Sequence, residues 1–188
     1  MQWEDFAGRP LDTAVNVARD RYMAENVGWL RDQLPAGACM MLWAHNAHVA
    51  RAAGWMGANL AARYGADYVN AGFAFGTGSF NASLYTANGA VAGPLAPQAV
   101  TRVLPGSVEA YAAATGVPRF LVDARAIAGA APAAPLAGPL PMRLIGSRYV
   151  TDADDAASYG RTPLPDDFDL LIYLQTTSAS QRLPFPAP

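Results

Sequence analysis

Between Asp12 and Leu34 the apolar residues Met23, Val27, Leu30 and Leu34 recur at spacings of three and four, with no proline among them. The pattern predicts a long amphipathic helix that ends where Pro35 and Gly37 follow. The next apolar run, Ala38 to Ala44, is too short for a buried helix and fits a buried strand. Val49 to Tyr64 reads as a second helix stopped at Gly65, and Tyr68 to Phe75 as a second strand with Gly72 and Gly76 as punctuation. Ser83 to Arg102 predicts short extended segments, Ser107 to Thr115 a short helix, and Arg119 to Val122 a brief buried strand. Phe168 to Leu174 is almost continuously apolar, as a central strand is. Strand, helix and strand in this order make a βαβ unit, which predicts an α/β fold with a mostly parallel sheet flanked by helices. The chain has no internal repeat.

Composition narrows this picture. The 188 residues suffice for one domain spanning 1–188, and 52% hydrophobic residues are ample for its core. Only 15% are charged, below the roughly 25% usual for soluble domains, so part of the surface is expected to want a partner. A net charge of −2 and the absence of a basic cluster argue against nucleic acid as a ligand. The longest uncharged stretch, Ala126 to Met142, is broken by Pro132, Pro135, Pro139 and Pro141, so it predicts a loop over about 126–141 and not a membrane span. No secretory signal is visible at Met1 to Asp5, and a cytoplasmic protein is expected. The single cysteine, Cys39, lies in an apolar run and reads as a core residue.

Both histidines fall in Trp43-Ala44-His45-Asn46-Ala47-His48, where a predicted strand gives way to a helix. Ligands of open α/β sheets bind at that end of a strand. Asn46 is the expected N-cap, and His48 lies near the helix start. Imidazole suits proton transfer near neutral pH, so the two histidines are site candidates; the alternative is a structural role, with ring N–H groups donating to backbone carbonyls. Zinc patterns need further ligands at definite spacing, and none is present, so no metal is expected. In the first helix, Arg19 and Asp20 extend the apolar stripe by one turn, which puts charge at or beside the buried face. Either they form a network tying helix to sheet or they are used chemically; Arg21 and Glu25 are spaced as an exposed i,i+4 pair. Gly76-Thr77-Gly78-Ser79-Phe80 matches neither a nucleophile elbow nor a dinucleotide fingerprint. Ser79 reads as a turn residue, and no cofactor is expected.

These residues resemble the erythromycin esterase family. The family helix Arg-Asp-x-x-Met-Ala-x-Asn is matched by Arg19, Asp20, Met23, Ala24 and Asn26, and its Trp-Ala-His-Asn-x-His block by Trp43 to His48. Trp55-Met56-Gly57 resembles its Met-Gly helix, Tyr68 to Phe80 its glycine- and phenylalanine-rich segment, and Phe168 to Thr177 its terminal strand with paired threonines. The resemblance implies a metal-independent α/β hydrolase acting on an ester or macrolactone, with macrolide resistance as one role. It implies His45 and His48 as active-site imidazoles, supported by Arg19, Asp20, Glu25 and Asn46.

Family members are about twice this length, and their first half carries a Gly-Glu-x-x-His type block bearing the presumed base. The present sequence has neither that block nor a third histidine. The expectation is therefore an incomplete half of a larger hydrolase domain, inactive alone, partnered by a separate N-terminal half or a homo-oligomer. Alternatives are a ligand-binding or interaction module that keeps the fold, and a metal-dependent hydrolase.

Overall fold

The computed structural model describes residues 13–86, 90–128, 136, 138–150 and 158–181. Helix α1 (Thr13–Asp32) fulfils the first periodic stretch to within two residues at either end. It packs on α3 (Met56–Tyr64) through Ala24, Met56 and Leu60, with Met23 and Val27 alongside. The lower half of the expected stripe, Leu30 and Leu34, is exposed.

Of the predicted second helix, Val49 to Tyr64, only the part from Met56 is a continuous helix. The single turn α2 (Asn46–Val49) ends at Ala50, and α3 starts only after Gly54 has taken a left-handed φ of 87°, open to glycine without strain. Gly65 caps α3, as expected.

Strand β1 (Ala71–Tyr85) is the longest element of the sheet, and β2 (Val91–Val100) runs back antiparallel to its second half, from Gly78↔Val100 to Tyr85↔Val91. Helix α4 (Val108–Ala114) follows, N-capped by the Ser107 side chain, then strand β3 (Arg119–Asp123) and the turn α5 (Arg125–Ala128). β4 (Pro139–Arg143) pairs with β6 (Tyr159–Pro163) in a separate ribbon, and β5 (Arg148–Val150) joins the end of β1. The turn α6 (Leu164–Asp167) leads into β7 (Leu170–Thr177), which is central as expected, lying between β1 and β3 in the order β2-β1-β7-β3.

Several expectations are corrected. The fold is mixed α/β, but the sheet is not mostly parallel: among the described residues two of its four strand pairings are antiparallel, and so is the separate β4–β6 ribbon. Side-chain periodicity marks a strand without fixing its direction, which here is set by β2 returning directly on β1 and by β7 entering between β1 and β3. The βαβ unit is absent because Ala38 to Ala44, though extended, joins no sheet. Cys39 is accordingly exposed and not in the core. Ser79 lies inside β1, not in a turn. Half of the expected 126–141 loop lies outside the described residues; its ends belong to α5 and β4.

Gly72 and Gly76, read as punctuation, lie inside β1 and serve close approach instead, as does Gly78. A side chain at Gly76 would meet the Gln175 backbone and the Tyr173 hydroxyl, and one at Gly78 would collide with the Thr177 backbone. Gly78 is also where β1 hands over from β7 to β2: it pairs with both Thr177 and Val100, at a φ of 124°. Pro94 and Pro97 are tolerated in β2 because it is an edge strand.

The main core lies around β7, where Tyr173, Phe168 and Leu171 pack with Val108, Met142 and Leu164. Smaller clusters sit between α1 and α3 and around Ala82, Val100 and Tyr149. No helix of the described residues is long and apolar enough to cross a membrane.

Gly78→Ala is expected to cost at least about 2 kcal/mol, from the left-handed backbone and the Thr177 clash together. Urea denaturation measures this, and an unchanged midpoint would show that the crossover does not need glycine.

Candidate functional site

The extended segment after α1 ends at His45, whose backbone is still in the β region (φ −63°, ψ 148°). One helical turn follows, and that turn brings His48 back beside His45, with ring centroids 6.4 Å apart. His45, not Asn46, is the N-cap of α2: its Nδ1 accepts from the Ala47 N–H at 3.2 Å. Because Nδ1 accepts, the proton is on Nε2, which donates to the Ile145 carbonyl at 3.0 Å. Burial, reinforced by nearby His48, pushes the His45 imidazole below its ordinary value against the opposing pull of the Ile145 carbonyl, and burial is the largest of these effects.

His48 is held by α1. Its Nδ1 lies 2.7 Å from Oδ1 of Asp20, a residue 0% exposed, and the same oxygen accepts from the Met56 N–H at 2.9 Å at the start of α3. The carboxylate takes the Nδ1 proton as a hydrogen bond, leaving a lone pair on Nε2. Arg19 Nη2 donates to that lone pair at 2.7 Å, and Trp55 packs edge-on against the ring at 5.5 Å. Arg19 also reaches Oδ2 of Asp20 at 3.6 Å, and its side chain is 41% exposed. The result is a line of carboxylate, imidazole and guanidinium running from the interior to the surface. It can orient an electron-rich group of a ligand and stabilise negative charge that develops there.

Asn46 serves elsewhere. Its amide donates to the Phe73 carbonyl at 2.7 Å and accepts from the Phe73 N–H at 2.9 Å, clamping α2 to β1. Glu25 is not brought to the histidines; it is exposed and pairs with Arg21 at 3.6 Å. Of the expected site residues, Arg19, Asp20, His45 and His48 therefore converge, Asn46 supports the turn that carries the histidines, and Glu25 stands apart. The spacing of Arg19 and Asp20 against the apolar stripe correctly placed the carboxylate inside.

Three contributors were not legible: the Met56 N–H, the Trp55 ring and the Ile145 carbonyl. The last reaches His45 across 100 positions, with no sequence signal. Two further buried charged residues, Glu109 and Arg143, were also missed. The Glu109 carboxylate accepts from the Arg143 N–H at 2.8 Å, while the Arg143 guanidinium donates to the carbonyls of Phe75, Gly76 and Arg102. Burial pushes the Glu109 carboxyl upward. Among the described residues no three His, Cys, Asp or Glu side chains converge as metal ligands do.

The erythromycin esterase family model matches residues 2–177. Among solved structures, that of a Bacillus cereus protein superposes with a TM-score of 0.74 at 22% identity, covering 94% of this chain and 43% of its own. A succinoglycan biosynthesis protein superposes with a TM-score of 0.71 at 21% identity, covering 90% of this chain and 41% of its own. The chain thus spans less than half the length of these structures. No curated protein matches it.

Asp20→Ala is expected to cost about 3 kcal/mol, because it removes a buried acceptor of two hydrogen bonds and leaves the Met56 N–H unpaired. The shift appears in urea midpoints at pH 7; a loss under about 0.5 kcal/mol, the scale of a neutral surface change, would mean the carboxylate does not anchor the helices. For His45 the sign follows from its lowered folded value: the unfolded chain binds the proton more readily, so its contribution is present above the ordinary imidazole value near 6.5 and is lost as pH falls towards the folded value. His45→Asn should flatten that part of the stability profile, and an identical profile would assign the dependence to other groups.

Proposed function

The chain belongs to the erythromycin esterase family, and we propose that it supplies one half of a hydrolase site that opens an ester or macrolactone with water, a chemistry suited to macrolide resistance. The observation that carries this reading is the Asp20–His48–Arg19 line beside His45 at the start of α2. In the reaction the water oxygen attacks the acyl carbon, the carbonyl oxygen gains negative charge, the acyl C–O bond breaks and the alkoxide takes up a proton. Arg19 is the group suited to the oxyanion: it is cationic, partly exposed and held in place by its bond to His48. Asp20 fixes the His48 tautomer and ring orientation, so that Nε2 faces Arg19.

Both nitrogens of both imidazoles are engaged within the chain, His45 with Ala47 and Ile145, His48 with Asp20 and Arg19. That favours orientation and charge stabilisation by these rings over removal of the water proton. The base is then expected from a complementary portion, where the family resemblance implies a Gly-Glu-x-x-His block. The same engagement of all four nitrogens favours one second reading, a module that binds such a ligand without turning it over.

Mass spectrometry of a macrolide and of small esters separates these. The experiment incubates them with this chain alone and with the chain joined to the complementary portion of a longer family member. A mass gain of one water only in the joined form is expected, reduced about a hundredfold or more in its Arg19→Ala variant. Saturable binding without turnover in the joined form would favour the second reading. Turnover by the short chain, abolished in His48→Ala, would overturn the half-site proposal.

A further inference from the structure

The segment from Cys39 to Ala44 is extended, yet none of its backbone N–H or C=O groups bonds to a described residue. Its side chains alternate as in a strand. Leu42 and Ala44 pack inward with Ala24, Met56 and Leu60, whereas Met41 and Trp43 are 91% and 83% exposed. Nearby, the first residues of β1 pair with β7 on one edge, and the Phe73 backbone on the other edge is met only by the Asn46 side chain. A cleft of about 410 Å³ lies between, bounded by residues 40–44 on one side and by 67–71 with Phe73 on the other. Trp43 leans over it onto Phe73, ring centroids 5.3 Å apart.

A row of unpaired backbone groups with apolar side chains on alternate positions is the surface that an added β-strand satisfies: its backbone completes the ladder and its side chains cover the exposed apolar ones. The occupant is indicated by the structural neighbours. They share this fold over nine-tenths of the present chain but carry more than half of their own length beyond it. We propose that Met40 to Ala44 is a docking edge for one short β-strand of that additional polypeptide. The strand carries apolar side chains on the Trp43 side, since among the described residues Asp67 is the only charged one lining the cleft. The inference rests on the half-site reading above, but its readout is backbone protection, which needs no chemistry.

Hydrogen exchange tests it, using this chain alone and with the portion of the Bacillus cereus protein outside the match added as a separate polypeptide. The expected result is exchange at unstructured rates for Met40 to Ala44 in the chain alone, slowed at least tenfold in the complex. Met41→Pro, at an exposed side chain, should weaken association at least tenfold while leaving the urea midpoint of the isolated chain unchanged. If the separate portion does not fold, the same exchange measurement on the two portions joined in one chain decides the matter. Protection without ester turnover upholds the docking edge and removes the hydrolase reading. A complex or joined chain that folds with these amides still at unstructured rates overturns the proposal, as does protection in the chain alone through a concentration-dependent dimer.

Discussion

The buried carboxylate of Asp20 joins three elements, α1, α2 and α3. One oxygen serves the His48 ring on α2 and the first N–H of α3, and the residue that supplies it sits midway along α1. A carboxylate is suited to this because it has several acceptor positions and no proton to lose to a neighbour, while burial makes each charge-assisted bond stronger than it would be in water. The packing of α1 on α3 through Ala24, Met56 and Leu60 gives the contact its dry surroundings. The geometry of His48, and through it that of Arg19, then follows from the same oxygen. A short turn such as α2, with four residues, has no stability of its own and depends on this tie and on the Asn46 clamp to β1.

The other organising constraint is β1, which is long enough to serve two neighbourhoods. Its first half lies beside β7 and near the histidine turn; its second half carries β2 and β5. Arg143 marks the handover, donating to the carbonyls of Phe75 and Gly76 from β4, with Glu109 of α4 holding its backbone N–H. The buried pair therefore fastens the separate β4–β6 ribbon to the sheet just ahead of Ile145, whose carbonyl closes on His45. The walls of the site and the core of the sheet are parts of one connected arrangement.

Local pattern made the first helix, the α4 turn and the central β7 legible, since each depends on periodicity that the residues themselves carry. Asp20 was legible as well, because a carboxylate on an apolar stripe has to be either paired or used. The sheet was not. Whether an extended run finds a ladder depends on residues far away, so Cys39 to Ala44 looks like a buried strand in sequence and stands unpaired in space. Gly76 misled for a related reason: glycine marks both turns and close backbone approach, and only the partner strand decides between them. The cap was misassigned because Asn is a favoured cap and His is not, while here Asn46 is occupied by the Phe73 backbone and His45 takes over.

That substitution of roles bears on how the site works. A histidine that caps a helix and donates to a carbonyl has used both ring nitrogens for structure, and a histidine bridging a carboxylate and a guanidinium has done the same. Neither ring is poised to exchange a proton with water until a neighbour moves. Of those neighbours, Asp20 is fully enclosed and Ile145 offers a main-chain carbonyl, whereas Arg19 is a long, partly exposed side chain that anionic or carbonyl oxygen can draw away. Of the four converging side chains Arg19 is therefore the one a ligand oxygen can reach, with both rings held by the chain behind it, an arrangement suited to stabilising charge more than to moving a proton.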